Sequence, residues 1–171
     1  HALNIFCDHS DVYSTLSTGF SILCSSNVQK AQDFCMISHM LTLKSKIPVL
    51  HFFDGFTTSH KLESIIKLKN EEKLFPKKEF IEFKNSCLVC SNPKTYGTNQ
   101  NSDIYFQNRE RIEEYVRKVP KILNECFEEF YKIEGRKYQI FEYFGSKKAT
   151  KIVISIASSV ETLKTTLDYL D

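Results

Sequence analysis

Cys87 and Cys90 are the residues whose type and spacing most directly suggest chemistry, because they form a CxxC pair. Such a pair can ligate zinc or cycle between a dithiol and a disulfide. A tetrahedral zinc site needs four ligands, and the sequence contains no second CxxC and no HxxxH. A redox pair is expected to open a helix after a strand, whereas this pair follows a charged segment. We therefore interpret the pair as incidental loop residues and predict neither a metal nor a catalytic disulfide; a small zinc or redox module is the alternative.

Polar residues follow two of the predicted strands, at the positions where those strands end. Asp8 and His9 come after a strand predicted over residues 1–7. In an open parallel α/β sheet, ligands bind beyond the carboxyl ends of the strands. Turn formation explains the same residue types, since Asp and Ser cap helices and Gly allows a bend, and the residues alone favour that interpretation. The second group follows a strand over residues 47–53 and consists of Asp54, Gly55, Phe56, Thr58, Ser59 and His60.

The remaining candidates are weaker. His39 and His51 lie in a predicted helix and a predicted strand, and we interpret both as core histidines. The chain has only five glycines and no glycine-rich phosphate loop. The pattern Ser158-Ser159-Val160-Glu161 predicts a helix start in which Ser158 caps and Glu161 reaches back to it. Helix starts can bind anions, but one capped turn is little support for a phosphate site.

The elements that must position these residues alternate between strands and helices. We predict strands over residues 3–6, 20–24 and 49–53, with a short helix after the first and a long helix over residues 28–43. This alternation predicts an α/β fold with a mostly parallel, doubly wound sheet.

The second half of the chain is predicted to be mainly helical. Residues 61–84 predict short amphipathic helices broken near Pro76, and a helix over residues 108–132 is expected to split at Pro120. We predict further strands over residues 138–144 and 152–156. The last strand and the helix after it follow a short linker, so we assign residues 1–145 to one domain and 146–171 to the start of a second α/β domain with its own sheet.

Composition excludes several classes of protein. Of the 171 residues, 42% are hydrophobic and 26% are charged, which is typical of a globular protein. The net charge of +2 is too small to indicate nucleic-acid binding, and no apolar run is long enough for a membrane span. Cys24 and Cys35 lie in apolar runs, so we interpret them as buried thiols and predict a reduced compartment, the cytoplasm or alternatively a mitochondrion-related organelle. A chain that opens inside a predicted strand is expected to be a piece of something larger.

Several long motifs, in order and in register, resemble those of pyruvate:ferredoxin (flavodoxin) and pyruvate:NADP⁺ oxidoreductases. The resemblance covers the whole chain except residues 61–92. Five segments of this chain correspond to family segments. HALNIFCDH (1–9) corresponds to HALSIFGDH, HFFDGFTTSH (51–60) to HFFDGFRTSH, and GTNQNSDIYFQNRE (97–110) to GTAQNPDIYFQGRE. GRKY followed by FEY (135–143) corresponds to GRKYKLFDYYG, and SSVET (158–162) to GSSCET. The chain departs from the family at Cys7, Leu16 and Thr57, where the family has Gly, Arg and Arg.

This resemblance implies a fragment of a large enzyme that oxidatively decarboxylates pyruvate to acetyl-CoA and CO₂. Its cofactors would be thiamine diphosphate, Mg²⁺, [4Fe–4S] clusters and CoA, with none bound by this fragment alone, which is expected to be inactive. The resemblance places Leu3, Ile5, Asp8 and His9 near thiamine diphosphate, and assigns no catalytic and no metal-binding residue to this chain. Its partners would be the remaining domains, a second subunit, and ferredoxin or a fused NADP⁺-reductase domain; nucleic acid and membranes are not expected partners. The lysine- and asparagine-rich composition is typical of a protist. A packing or interaction domain with no active-site role is the further alternative.

Overall fold

The computed structural model describes residues 4–170 and contains a parallel β-sheet flanked by helices. Strand β1 (Ser21–Ser25) pairs in parallel with strand β2 (Val49–Phe53), with Ser21 opposite Val49 and Ser25 opposite Phe53. The α/β class with parallel strand pairing is therefore confirmed. The elements in chain order are α1 (Ser10–Ser14), a 3-10 turn (Leu16–Thr18), β1 (Ser21–Ser25), α2 (Val28–Ser45), β2 (Val49–Phe53), α3 (Glu71–Leu74), α4 (Lys77–Ser86), α5 (Ser102–Glu134) and α6 (Ser159–Leu170).

Helix α2 connects the two strands and forms one side of the core. Its first turn is capped by Asn27, whose side chain accepts a 2.8 Å hydrogen bond from the backbone N–H of Lys30. The apolar side chains of α2 pack against α5, so this helix pair encloses most of the buried apolar surface. The fully or nearly fully buried residues of this core include Ile37, Met40 and Leu41 of α2 and Cys126, Phe127 and Phe130 of α5. His39, expected in the core, is instead exposed on α2.

Helix α5 is one continuous helix, so the predicted split at Pro120 is wrong. A proline inside a helix removes one backbone hydrogen bond and adds a steric clash. The flanking turns offset that loss, because the residues from Val119 onward bury an apolar stripe against α2. Before Val119 the helix has no buried residue, and Ile104, Tyr105 and Phe106 are all more than half exposed.

Two of the predicted strands are absent from the described residues because individual residues within them make other contacts. At residues 5–7 the backbone forms a turn: the N–H of Phe6 donates to the side chain of Asn4, and Cys7 has a left-handed φ of 68° that no strand accommodates. Residues 1–3 lie outside the described part of the chain. Residues 138–144 are irregular because Tyr138 points into the core and donates a 2.6 Å hydrogen bond to Asp33.

The segment 152–156 is not part of a strand in the described chain, although its sequence is apolar throughout. A strand needs a neighbour to accept and donate its backbone hydrogen bonds, and these residues pair with neither β1 nor β2. Ile152, Val153 and Ile154 are 69%, 76% and 95% exposed. The interpretation of this segment as the start of a second sheet remains a prediction.

The lysine- and glutamate-rich stretch contains the expected short helices, α3 and α4, on either side of Pro76. Residues 61–70 are irregular. Among the helices of the described residues, none combines the length and the apolar character needed to cross a membrane.

Candidate functional site

The candidate site lies at the carboxyl ends of β1 and β2, which the parallel pairing brings to the same edge of the sheet. Asp54 directly follows β2, and its side chain is buried, with 2% of the residue exposed. Ser26 and Asn27 directly follow β1. Asp54 is one of the residues that the sequence places at the strand ends, and its neighbours show which contacts it makes there.

The Asp54 side chain lies within hydrogen-bond distance of two separate parts of the chain, residues 7–9 and Ser158. Its Oδ1 lies 2.5 Å from His9 Nε2, and its Oδ2 accepts the Cys7 thiol at 3.3 Å. The same Oδ2 accepts the backbone N–H of Ser158 at 2.8 Å and also the Ser158 hydroxyl. Among the described residues, no buried side-chain nitrogen or oxygen lacks a hydrogen-bond partner. Asp54 is therefore the node of a fully satisfied polar cluster.

The ionisation of Asp54 follows from this environment. Burial on its own would raise the pKa of the carboxyl group, but the hydrogen bonds from Ser158, His9 and Cys7 outweigh burial and hold its pKa below the ordinary value. The carboxylate therefore stays ionised at neutral pH. Since its lone pairs already accept four donors, it is not available to abstract a proton from a ligand.

The donors reach Asp54 because two residues adopt left-handed backbone conformations. Cys7 has φ 68° and Ala157 has φ 64°, a region that favours glycine. Both positions correspond to glycines in the family segments HALSIFGDH and GSSCET. Cys7 Sγ lies 3.5 Å from Ser158 Oγ, and both groups bind the Asp54 carboxylate.

The start of α6 supplies one donor from its backbone. The N–H groups of a helix start are unpaired and carry partial positive charge, which favours a carboxylate at this position. The predicted capping box is wrong, because Ser158 donates to Asp54 and Glu161 points elsewhere. Glu161 Oε1 accepts the Ser26 hydroxyl at 2.5 Å and the Asn27 amide at 3.0 Å.

The Glu142 carboxylate connects α6 to α2 through two ion pairs. Glu142 lies 3.4 Å from Lys30 of α2 and 2.9 Å from Lys164 of α6. Burial alone would raise the pKa of Glu142, but the hydrogen bond from Lys164 and the charge of Lys30 lower it. Helix α6 has no buried residue, so polar contacts of this kind hold it in place.

The other predicted site residues are used within their own turns. Asp8 accepts the N–H of Ser10 at 2.9 Å, and this bond lowers the pKa of Asp8. In the loop after β2, Ser59 accepts the N–H of Phe56 at 2.8 Å and lies 2.8 Å from His60 Nδ1. Thr58 is buried, while Gly55 and Phe56 form the exposed bend. These contacts are those of a structured turn.

Two exposed apolar side chains lie on the turn directly before Cys7. Ile5 and Phe6 are 60% and 69% exposed, and the Phe6 ring meets Phe56 edge to face at 5.8 Å between centroids. Exposed apolar groups on a tight turn, beside a buried charge, can form one wall of a ligand pocket. Leu3, the third predicted apolar residue, lies outside the described residues.

Sequence reasoning missed the roles of Cys7 and Ser158. The sequence marks Cys7 only as a departure from a family glycine, and Ser158 only as a helix cap. The signal that could have connected them is that each stands at or beside a family glycine position that this chain fills with another residue.

The cysteine pair shows no arrangement for metal binding. The Cys87 thiol donates to the backbone oxygen of Phe83 at 3.4 Å, and Cys90 is exposed. Across residues 4–170, no group of three or more His, Cys, Asp and Glu side chains is placed to hold a metal ion.

Comparison with known proteins identifies the family. Residues 1–128 match the family described as pyruvate flavodoxin/ferredoxin oxidoreductase, thiamine diP-bdg. The chain belongs to this family. It is 44% identical to a pyruvate-flavodoxin oxidoreductase of Trichormus variabilis and 39% identical to a pyruvate:ferredoxin oxidoreductase of Moorella thermoacetica, with 99% of the chain covered in each case. It is also 40% identical, over 99% of its length, to the mitochondrial pyruvate dehydrogenase [NADP(+)] of Euglena gracilis.

The matched relatives are much longer than this chain. The chain spans 14%, 15% and 10% of the length of the three proteins named above. The match runs through residues 61–92, where the quoted motifs are absent, so the whole sequence is homologous to one contiguous part of these relatives.

Proposed function

We propose that this chain is part of the thiamine diphosphate-binding region of a longer enzyme that oxidises pyruvate. In that enzyme, pyruvate and CoA yield acetyl-CoA, CO₂, one proton and two electrons. The observation that carries the proposal is the match of residues 1–128 to the family, together with the exposed apolar turn beside Asp54. The electrons would pass through [4Fe–4S] clusters elsewhere in the polypeptide to ferredoxin, flavodoxin or NADP⁺.

The residues of this chain fit part of a thiamine diphosphate site. The chemistry that the cofactor supplies when bound is an electron sink for the loss of CO₂ from a 2-oxoacid. Ile5 and Phe6 would exclude water from one side of the cofactor and lower the local dielectric, which strengthens charge interactions made by other groups. His9 would hold the turn in place through its bond to Asp54.

We assign no residue of this chain to the diphosphate or its Mg²⁺. Within residues 4–170, no group of three or more His, Cys, Asp and Glu side chains is placed to hold a metal ion. The proposal therefore assigns the metal, the acid that activates the cofactor and the group that pairs with the pyruvate carboxylate to other parts of the enzyme.

Exposed apolar surface supports packing against such parts. The accessible surface of the chain is 13288 Å², whereas a compact monomer of 19.9 kDa exposes about 8,700 Å². Large exposed apolar areas mark interaction surfaces. Segment 152–156 and the first half of α5 contain several exposed apolar side chains. We propose that the remaining domains of the same polypeptide, and a second subunit, cover these surfaces.

Calorimetry with thiamine diphosphate and Mg²⁺ tests the proposal on the isolated chain. We expect a dissociation constant weaker than about 1 mM, because a partial site leaves most of the cofactor in water. We also expect no pyruvate turnover. A micromolar dissociation constant, or turnover by the chain alone, would show that this chain itself contains the metal site, the activating acid or the group that pairs with the pyruvate carboxylate.

The complete polypeptide tests the reaction itself. Pyruvate- and CoA-dependent reduction should be assayed with ferredoxin, flavodoxin and NADP⁺ in parallel, since the relatives differ in the acceptor that their names state. Failure with all three acceptors would contradict the proposed function. Fractionation of the source cells would separate the cytoplasm from a mitochondrion-related organelle.

A role restricted to packing is the second candidate, and the large exposed apolar surface is the observation that favours it. Ile5→Asp in the complete enzyme discriminates between the two. A packing domain should keep its activity if folding survives, whereas a cofactor wall should lose affinity for thiamine diphosphate.

A further inference from the structure

Asp54 connects segments that are far apart in the sequence. The residues that donate to its carboxylate lie 45 to 47 positions before it and 104 positions after it. Its backbone oxygen also accepts the N–H groups of Thr58 and Ser59 at 3.3 and 3.2 Å. One residue therefore fixes the turn before α1, the loop after β2 and the start of α6.

The carboxylate oxygens divide these tasks. Oδ1 faces His9, while Oδ2 takes Cys7 and both donors of Ser158. Cys7 directly follows Ile5 and Phe6 and holds a left-handed conformation, so its thiol contact fixes where the turn ends. The His9 ring also lies edge-on against Phe52 of β2, at 5.4 Å between centroids. The turn is thus held at both its Cys7 and its His9 end by the same side chain.

We propose that Asp54 is a positioning residue for the apolar turn that carries Ile5 and Phe6. The proposal rests on the proposed function, in which this turn forms one wall of the thiamine diphosphate site. Asp54 touches neither cofactor nor substrate. It acts through Cys7 and His9, and through Ser158 it places the start of α6 against the same edge of the sheet.

An asparagine at position 54 separates this role from simple burial. Its amide oxygen can replace only one carboxylate oxygen. With the amide oxygen toward Ser158 and Cys7, the amide NH₂ faces His9 Nε2, where a carboxylate oxygen lies in the wild type. The variant therefore weakens the contacts that hold the turn and leaves the volume of the buried side chain nearly unchanged.

The test compares Asp54→Asn with Asp33→Asn in the complete enzyme. Asp33 is a matched control because it is also fully buried and also accepts several donors, among them Arg136 and Tyr138. We expect Asp54→Asn to raise the half-saturating concentration of thiamine diphosphate at least tenfold. Asp33→Asn should lower the stability of the protein and leave that concentration within about twofold.

The proposal is overturned if the two variants show the same half-saturating concentration of thiamine diphosphate while the wild type is active. If the wild type itself turns over no pyruvate, the proposed function fails, and hydrogen exchange on the isolated chain then decides the positioning role. Asp54→Asn should speed amide exchange of residues 5–10 at least tenfold, and Asp33→Asn should not. Equal exchange in both variants overturns the proposal. If Asp54→Asn does not fold, Ser158→Ala keeps the carboxylate, removes one donor, and should give a smaller change in the same direction.

Discussion

Arg136 forms a deeply buried ion pair with Asp33, and its removal should be costly. Its guanidinium binds Asp33 through two hydrogen bonds, Nε to Oδ2 at 2.6 Å and Nη2 to Oδ1 at 2.9 Å. The Asp33 side chain is 0% exposed and that of Arg136 is 16% exposed. Arg136→Met would leave the carboxylate buried with only neutral donors. Removing one partner of a buried pair costs about 3–5 kcal/mol, so we expect the free energy of unfolding to fall by that amount.

The exposed pair of Arg117 and Glu113 provides the matched control. Its shortest N–O distance is also 2.6 Å, but the two side chains are 76% and 53% exposed. Arg117→Met should therefore cost about 0–1 kcal/mol. The two variants remove the same side chain from pairs of similar geometry, so their difference isolates the effect of burial.

Urea unfolding followed by circular dichroism at 222 nm is the suitable assay, because the chain has no tryptophan. A double-mutant cycle with Asp33→Asn completes the test. Once the charge on residue 33 is gone, Arg136→Met should cost about 2 kcal/mol less than it does in the wild type. Additive effects within about 0.5 kcal/mol would refute the view that Arg136 acts by compensating the Asp33 charge.

Three further predictions concern single groups. The pKa of Asp54 is lowered in the folded chain, so its contribution to stability is present above the ordinary carboxyl pKa of about 3.9 and is lost as the pH falls toward the lowered pKa of the folded chain. The stability difference between wild type and Asp54→Asn should therefore shrink between pH 5 and pH 3. A constant difference over that range would contradict this prediction. Pro120→Ala restores a helix hydrogen bond and should raise the free energy of unfolding by about 2 kcal/mol in urea titrations, whereas a loss of stability would mean that the ring packs favourably. Burial raises the pKa of the Cys126 thiol to about 12, so a thiol reagent at pH 8 should label exposed Cys90 at once and Cys126 only after urea is added.

The elements that sequence reasoning located correctly are those with strong local signals. Asn27 caps α2 where the sequence predicts a helix start, and β2 spans Val49–Phe53, the range predicted for it. Pro76 interrupts the charged stretch as expected. In each case, residues within one turn of one another determine the outcome.

The errors come from contacts between distant residues. The turn at residues 5–7 depends on the bond between Cys7 and Asp54, which no local pattern announces. Tyr138 is not in a strand because its hydroxyl donates a hydrogen bond to Asp33, a residue 105 positions earlier in the sequence. Pro120 stays helical because α5 packs on α2. The candidate site shares this character: sequence reasoning identified Asp54 and His9 individually, whereas Ser158 joins them only in three dimensions.

The bond between Ser158 and Asp54 also has a consequence for the order of folding. It closes a loop of 104 residues, and such a closure costs roughly 4 kcal/mol of chain entropy. Helix α6 buries no residue, so little hydrophobic gain offsets that cost when the loop first closes. The strands and α2 make contacts over much shorter separations and should assemble first. Docking of α6 onto the Asp54 carboxylate is therefore expected to be the last step of folding and the first to reverse.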